Sequence, residues 1–85
     1  MRLRRDTDDV LIHRQVVEEN CYQLPQRMNG AVVLDIGAHV GCFAKACADR
    51  GAGRIICCEP VEENYELLRH NVENVINADT PDCVV

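Results

Sequence analysis

Two acidic residues and two glycines form the group of residues in this chain that could bind a ligand. Asp35 lies at the end of an apolar run of strand length, and Gly37 and Gly41 follow it. Glu59 ends a second apolar run and is followed by Pro60. A strand, a glycine turn, a helix and a second strand that ends in a carboxylate typically hold a nucleoside-bearing cofactor at the ends of parallel strands.

The residues of the turn distinguish between two classes of cofactor. A dinucleotide site needs a second glycine two residues after the first, so that the backbone can approach the pyrophosphate closely, and here that position is His39. The Asp35 carboxylate would repel a pyrophosphate but attract an amino group or a sulfonium cation. Glu59 is placed to accept hydrogen bonds from the two hydroxyls of a ribose. These features favour S-adenosylmethionine over NAD.

The two motifs resemble those of the FkbM group of class I S-adenosylmethionine-dependent methyltransferases. The first is the segment Leu34–Phe43, which reads LDIGAHVGCF, and the second is Glu59–Asn64, which reads EPVEEN. The second is followed by Leu68–Asn71, which reads LRHN and matches the end of the helix in that family. The resemblance covers residues 4–75 and includes the segment before the first motif.

The resemblance implies an α/β protein with a Rossmann-like class I methyltransferase fold, a parallel sheet flanked by helices. It also implies O-methylation of a sugar or another small-molecule hydroxyl, in which positioning of the acceptor matters more than a dedicated acid or base. No residue is therefore assigned as catalytic, and His39 is interpreted as a hydrogen-bonding residue of the turn. The residues expected to bind the cofactor are Asp35, Gly37, Ala38, His39 and Gly41 at the methionine part, Glu59 at the ribose, and Pro60 at the rim.

The sequence pattern divides the chain into an N-terminal lead-in, residues 1–30, and a partial Rossmann-like cofactor-binding domain, residues 31–85. The continuous apolar run at 31–34 predicts a strand buried on both faces. Pro60 suits the first turn of a helix. The other predicted elements are a short strand over 9–13, a helix-compatible segment over 14–20, a helix over 40–50, a strand over 55–59, a helix with an apolar stripe over 61–75, and the start of a third strand at 83–85.

The family's later strands, which contact adenine, the methyl site and the acceptor, have no counterpart in these residues. We therefore expect the cofactor-binding portion of a methyltransferase, truncated after the second strand and its helix. Two alternatives stay open. The chain is either an inactive fragment or interaction module that keeps only the βαβ scaffold, or, less favoured because of His39, a fragment of an NAD-binding oxidoreductase.

Composition narrows the possible partners and location. The net charge of −5 argues against nucleic acid and anionic lipid, because their phosphates would repel the chain. No apolar stretch approaches the roughly 20 residues of a membrane span, and the charged N-terminus is unlike a signal peptide. We expect a cytoplasmic protein with a small-molecule acceptor, and self-association through the exposed edges of its parallel strands.

Six cysteines are present, and their spacing is unlike that of a metal or disulfide framework. No C-x-x-C pair occurs, and Cys57 and Cys58 must face opposite sides of a strand. Four of them lie within apolar patterns, where cysteine behaves as a small buried hydrophobic residue: Cys42, Cys47, Cys57 and Cys58. We expect a packing role for these cysteines and no metal ligation.

Overall fold

The strands form where β-branched and apolar residues are consecutive, and all three pair in parallel. The computed structural model describes all 85 residues, Met1–Val85. Strand β1 spans Val32–Ile36, β2 spans Arg54–Cys58, and β3 spans Cys83–Val84, in the order β1-β2-β3. The predicted α/β class with a parallel sheet and flanking helices is confirmed at this level, as is the short third strand.

Helical segments connect the strands and precede them. The first element of the chain is a helix that begins at Asp9, so the strand predicted over 9–13 is wrong. The segment is helical because Ile12 and Val16, four residues apart, both pack in the same apolar cluster as Ala46. The helices are α1 (Asp9–His13, extended by a π-helical turn at Arg14–Glu18), α2 (Cys42–Asp49), α3 (Glu62–Asn71, extended by a π-helical turn at Val72–Ile76) and α4 (Asn77–Asp79).

Two further details of the helices matter for the site. Helix α3 begins at Glu62 after an extended Val61, so Pro60 lies before the helix and not in its first turn. None of the helices has both the length and the apolar character needed to cross a bilayer.

The sheet is covered on one face only. In β1 the side chains of Val32, Leu34 and Ile36 are exposed, whereas Val33 and Asp35, which point to the opposite face, are half-buried and buried. The prediction of a strand buried on both faces is wrong, because a continuous apolar run does not specify which face neighbouring elements cover. Helix α2 and the segment after α3 both pack on the face of Asp35.

The core lies between that covered face and the helices. Ile55, Leu68 and Ile76 are its largest fully buried apolar side chains. Cys57 is buried and Cys58 is exposed, which confirms that the two face opposite sides of β2. The buried packing role predicted for Cys58 is wrong, because its side of the sheet is not covered by a helix. Burial raises the pKa of Cys42 and of Cys47 to about 11, so both remain uncharged thiols at neutral pH and pack as small apolar groups.

A buried amide fastens the N-terminus to this core. Asn71 is completely buried at the end of α3, and its Oδ1 accepts a hydrogen bond of 2.7 Å from the backbone N–H of Arg2. Its Nδ2 donates to the carbonyl oxygens of Arg2, at 3.0 Å, and Val40, at 2.8 Å. One side chain therefore joins the N-terminal segment, α3 and the turn before α2.

Replacing Asn71 should destabilise the whole fold. The change Asn71→Leu has similar volume but leaves an N–H and two carbonyl groups without this partner, and we expect a loss of roughly 2–4 kcal/mol in the free energy of unfolding. Urea denaturation measures this quantity. Asn74→Leu, at an exposed position one turn later, is the matched control and should change it by less than about 0.5 kcal/mol.

Candidate functional site

The glycine turn after β1 is held by the end of β2. The N–H groups of Gly37 and Ala38 both donate to the carbonyl oxygen of Cys58, at 2.8 and 3.0 Å. The next N–H, that of His39, donates to Glu59 Oε1 at 2.7 Å. Three consecutive amides are thus already bound within the protein, so the N–H groups of Gly37, Ala38 and His39 are not free to cradle a pyrophosphate.

The two glycines of the turn are each favoured over other residues, for different structural reasons. Gly37 has a φ of +79°, a left-handed conformation that disfavours other residues, although a Cβ there would meet no atom. Gly41 has a φ of +103° and lies against the core, where a Cβ would be 3.1 Å from Leu68 and 3.2 Å from Ile76. Gly41 therefore allows α2 and α3 to approach each other and does not line the ligand cleft described below.

The Glu59 carboxylate has a structural role in addition to its predicted contact with ribose. Its Oε2 accepts a hydrogen bond of 3.0 Å from the N–H of Val61, while Oε1 accepts the one from His39. These backbone donors, that of Val61 first, lower the pKa of Glu59. The carboxylate therefore links the glycine turn to the start of α3. Glu59 and the exposed Pro60 are both outside the cleft lining.

A cleft of about 310 Å³ opens beside the turn, at the carboxyl end of β1. Of the predicted site residues, Asp35, Gly37, Ala38 and His39 line it, and Gly41, Glu59 and Pro60 do not. The sequence analysis assigned no cofactor role to its remaining lining residues, which are Ile12, Val16, Tyr22, Ile36, Cys42 and Phe43.

The N-terminal side of the cleft comes from residues distant in sequence. Ile12 and Val16 form one wall, and their spacing of four was the available signal for a helix that presents both to one side. Tyr22 contacts Phe43 edge-to-face, with ring centroids 5.4 Å apart and an interplanar angle of 84°. Tyr22 is nevertheless 63% exposed, so its ring is available to a ligand.

Asp35 is the unusual group of the cleft. It is 8% exposed, and its Oδ2 is buried without any hydrogen-bond partner. Burial raises the pKa of this carboxyl, and the charge of Glu59 raises it further. A buried carboxylate without a donor is destabilising unless something pairs with it. The N–H groups of the turn donate to the end of β2 and not to Asp35. A ligand in the cleft can therefore supply the partner that Asp35 lacks.

His39 is held from the side of the N-terminal segment. Arg4 binds Asp9 through Nε at 2.8 Å and Nη2 at 3.1 Å, and the same Nη2 lies 3.3 Å from His39 Nε2. Since a guanidinium only donates, His39 Nε2 must accept, and the imidazole proton is then on Nδ1, which is buried without a partner. His39 also has a φ of +55°. The imidazole ring is thus oriented by a side-chain contact with Arg4, which lies 35 residues away and outside the glycine-turn motif.

Comparisons with known proteins returned no match: no family model, no curated protein and no solved structure is significantly similar to this chain. The interpretation of the site therefore depends on the residues and contacts described above.

The unpaired Asp35 should reduce stability. Folding raises the pKa of the Asp35 carboxyl, so its ionisation at pH 7 opposes folding; Asp35→Asn removes that charge, and the free energy of unfolding at pH 7 should increase. The gain should disappear in acid, where the carboxyl of Asp35 is protonated in both the folded and the unfolded chain. Urea denaturation at both pH values tests this, and Asp79→Asn at an exposed position is the control. A destabilised variant at pH 7 would contradict the prediction.

The Arg4–Asp9 pair should have the opposite pH dependence. Hydrogen bonds from Arg4 lower the pKa of Asp9 from 3.8 to about 2, although burial opposes this. The resulting stabilisation, about 2 kcal/mol, is complete above about pH 5 and is lost as the pH falls towards 2. Asp9→Asn should therefore cost most at neutral pH and little near pH 2. Asp6→Asn, at an exposed position, should show no such dependence in thermal unfolding followed by circular dichroism.

Proposed function

We propose that the cleft binds S-adenosylmethionine, with the Asp35 carboxylate on the amino group of its methionine part, and that the protein takes part in methyl transfer to a hydroxyl of a sugar or another small molecule. The observation that carries this proposal is the buried Asp35 carboxylate, which lines the cleft and whose Oδ2 has no partner in the protein. An ammonium group is the natural partner of such an acceptor because it supplies both charge and N–H donors.

The contacts of the glycine turn favour this cofactor over a dinucleotide. A dinucleotide site uses free backbone N–H groups at a glycine turn to bind the pyrophosphate. Here the N–H groups of Gly37, Ala38 and His39 are bound by the end of β2, and the nearest carboxylate is unpaired. An anion beside these residues would therefore meet the charge of Asp35 without help from their three N–H groups, whereas a cation would meet favourable charge.

The size and lining of the cleft fit the amino-acid and sulfonium part of the cofactor. A volume of about 310 Å³ is at the lower end of the range for ligand pockets, so the cleft takes part of the cofactor and not all of it. Tyr22 and Phe43 supply aromatic rings to its wall, and aromatic faces attract cations such as a sulfonium. Val16 adds an apolar side chain to the same wall.

The bound cofactor supplies an activated methyl group on a sulfonium, and the contribution of these residues is to bind and orient it. Asp35 fixes the methionine end and Tyr22 lies over the apolar wall, so the proposal requires no proton transfer by either residue. Glu59 remains the proposed ribose contact. Its oxygens already accept backbone bonds, but each retains a second acceptor position for a ribose hydroxyl.

Binding of S-adenosylhomocysteine, measured by isothermal titration calorimetry, tests the proposal. Because Asp35 supplies a charge-assisted bond, Asp35→Asn should weaken binding by more than about tenfold, and Asp79→Asn should leave it unchanged. NAD should bind more weakly than S-adenosylhomocysteine. If neither ligand binds the wild-type chain, the proposed cofactor site is wrong and the βαβ unit is better described as an interaction scaffold.

The affinity should also depend on pH through Asp35. Burial raises the pKa of this carboxyl, so its protonation, and with it the loss of affinity, should occur at a higher pH than for an ordinary aspartate. The dependence should be absent in Asp35→Asn. Glu59→Ala is a poor test of the ribose contact, because it also removes the acceptors for His39 and Val61. Glu59→Gln keeps one acceptor and is the more informative variant.

A further inference from the structure

Two buried side-chain atoms of the protein have no hydrogen-bond partner, and both belong to residues that line the cleft. One is Asp35 Oδ2, which is an acceptor when the carboxyl is ionised, and the other is His39 Nδ1. Buried polar atoms are almost always paired, so two unpaired atoms on the lining of one cleft indicate a ligand with two polar groups. The proposed function gives a partner to Asp35 and leaves His39 without one.

The surroundings of the other ring nitrogen determine what His39 Nδ1 can offer. Arg4 Nη2 lies 3.3 Å from His39 Nε2, and because a guanidinium only donates, Nε2 accepts and the proton is on Nδ1. Asp9 Oδ1 is farther from Nε2, at 3.8 Å, and already accepts from Arg4 Nη2 at 3.1 Å. A proton on Nε2 would therefore face the positive guanidinium. His39 is thus a donor at Nδ1.

The His39 residue is held at both its backbone and its ring. Its backbone N–H donates to Glu59 Oε1 at 2.7 Å. At the ring, the contacting Arg4 is itself fixed, because Asp9 Oδ2 accepts from its Nε at 2.8 Å and from its backbone N–H at 2.9 Å. Asp9 is 1% exposed, so this support is internal to the fold. A donor held in this way by residues behind it is typical of a preorganised binding group.

The charge of the proposed ligand requires such a donor. The methionine part of S-adenosylmethionine carries a carboxylate on the same carbon as its ammonium group. If the ammonium group binds Asp35, the ligand carboxylate comes close to a second negative charge, and a donor must offset the repulsion. The backbone N–H groups of Gly37, Ala38 and His39 are bound elsewhere. The Nδ1–H of His39 is unpaired and belongs to the lining of the same cleft.

We propose that Arg4 holds His39 in the Nδ1–H tautomer and that this N–H binds the carboxylate of the methionine part, so that the cleft recognises a zwitterion. This contact rests on the proposed function and extends it: Asp35 takes the ammonium group and His39 takes the carboxylate of one α-amino acid group. Arg4 is outside the cleft lining, so it acts through His39 as a positioning residue. The cleft then selects against amines that lack a carboxylate.

Isothermal titration calorimetry with two nucleosides tests the recognition of the carboxylate. S-Adenosylhomocysteine carries both groups, and its decarboxylated analogue keeps the amino group and the sulfur but lacks the carboxylate. The wild-type chain should bind S-adenosylhomocysteine more than about tenfold more tightly than the analogue. Equal affinities overturn the carboxylate contact and leave the cofactor site intact. If neither nucleoside binds, the proposed function is wrong and this contact is wrong with it.

The ¹⁵N NMR spectrum of the imidazole nitrogens tests the role of His39 without any substitution. In the wild-type chain the proton should be on Nδ1, because Arg4 occupies Nε2. The Nδ1 resonance should shift when S-adenosylhomocysteine is added and stay in place when the decarboxylated analogue is added. A proton on Nε2, or an Nδ1 resonance that responds equally to both nucleosides, overturns the proposal.

Variants of Arg4 separate positioning from a general effect on the fold. Arg4→Met frees Nε2 of His39, so the proton should move from Nδ1 to Nε2 and the preference for S-adenosylhomocysteine over its analogue should fall by about fivefold or more. Arg4→Lys, which also only donates, should restore the tautomer and the preference. Arg5→Met removes the same charge at an exposed position and should change neither. A preference that survives the change of tautomer in Arg4→Met overturns the positioning role.

Discussion

The attachment of the glycine turn to the end of β2 is the contact on which the site depends. The parallel register brings Cys58 beside Ile36, and the chain then donates three successive N–H groups to the Cys58 carbonyl and the Glu59 carboxylate. Because these donors are used between strands, none of the three is left for Asp35, which is buried and unpaired beside the cleft. The same hydrogen bonds therefore shape the turn and leave Asp35 without a partner from its backbone.

The N-terminal segment is part of the site because long-range polar contacts fix it there. Asn71 binds the backbone of Arg2 from a position 69 residues away, and Arg4 reaches His39 across 35 residues. With the segment held in this way, Ile12 closes one side of the cleft. The boundary that the sequence places near residue 30 separates two compositional regions, but the contacts cross it.

The parts of the fold that could be predicted are those that depend on short-range sequence patterns. The β1 and β2 runs, the helix after Gly41 and the stripe through Leu68 and Val72 were all recognisable, because each element depends on residues a few positions apart. Three features were not recognisable from the sequence. They are the helix at 9–13, the covering of the sheet on one face only, and the hydrogen bonds from the N–H groups of the turn to the end of β2. Each of these depends on which distant element packs against the segment, and apolar character alone does not specify the neighbour.

Ile36 connects the cleft with the face of the sheet that no helix covers. It lines the cleft beside Asp35 and is also 77% exposed at the end of β1, on that uncovered face. A molecule that covers Ile36 from this face changes the water and the polarity at one wall of the cleft. If that contact alters the affinity for a ligand, the ligand must alter the contact by the same factor, since coupling between two binding sites is reciprocal. Asp35 is unpaired and the neighbouring Ile36 is uncovered, so both residues reduce the stability of the chain on its own. Residues that reduce stability in this way are expected where a protein binds its partners.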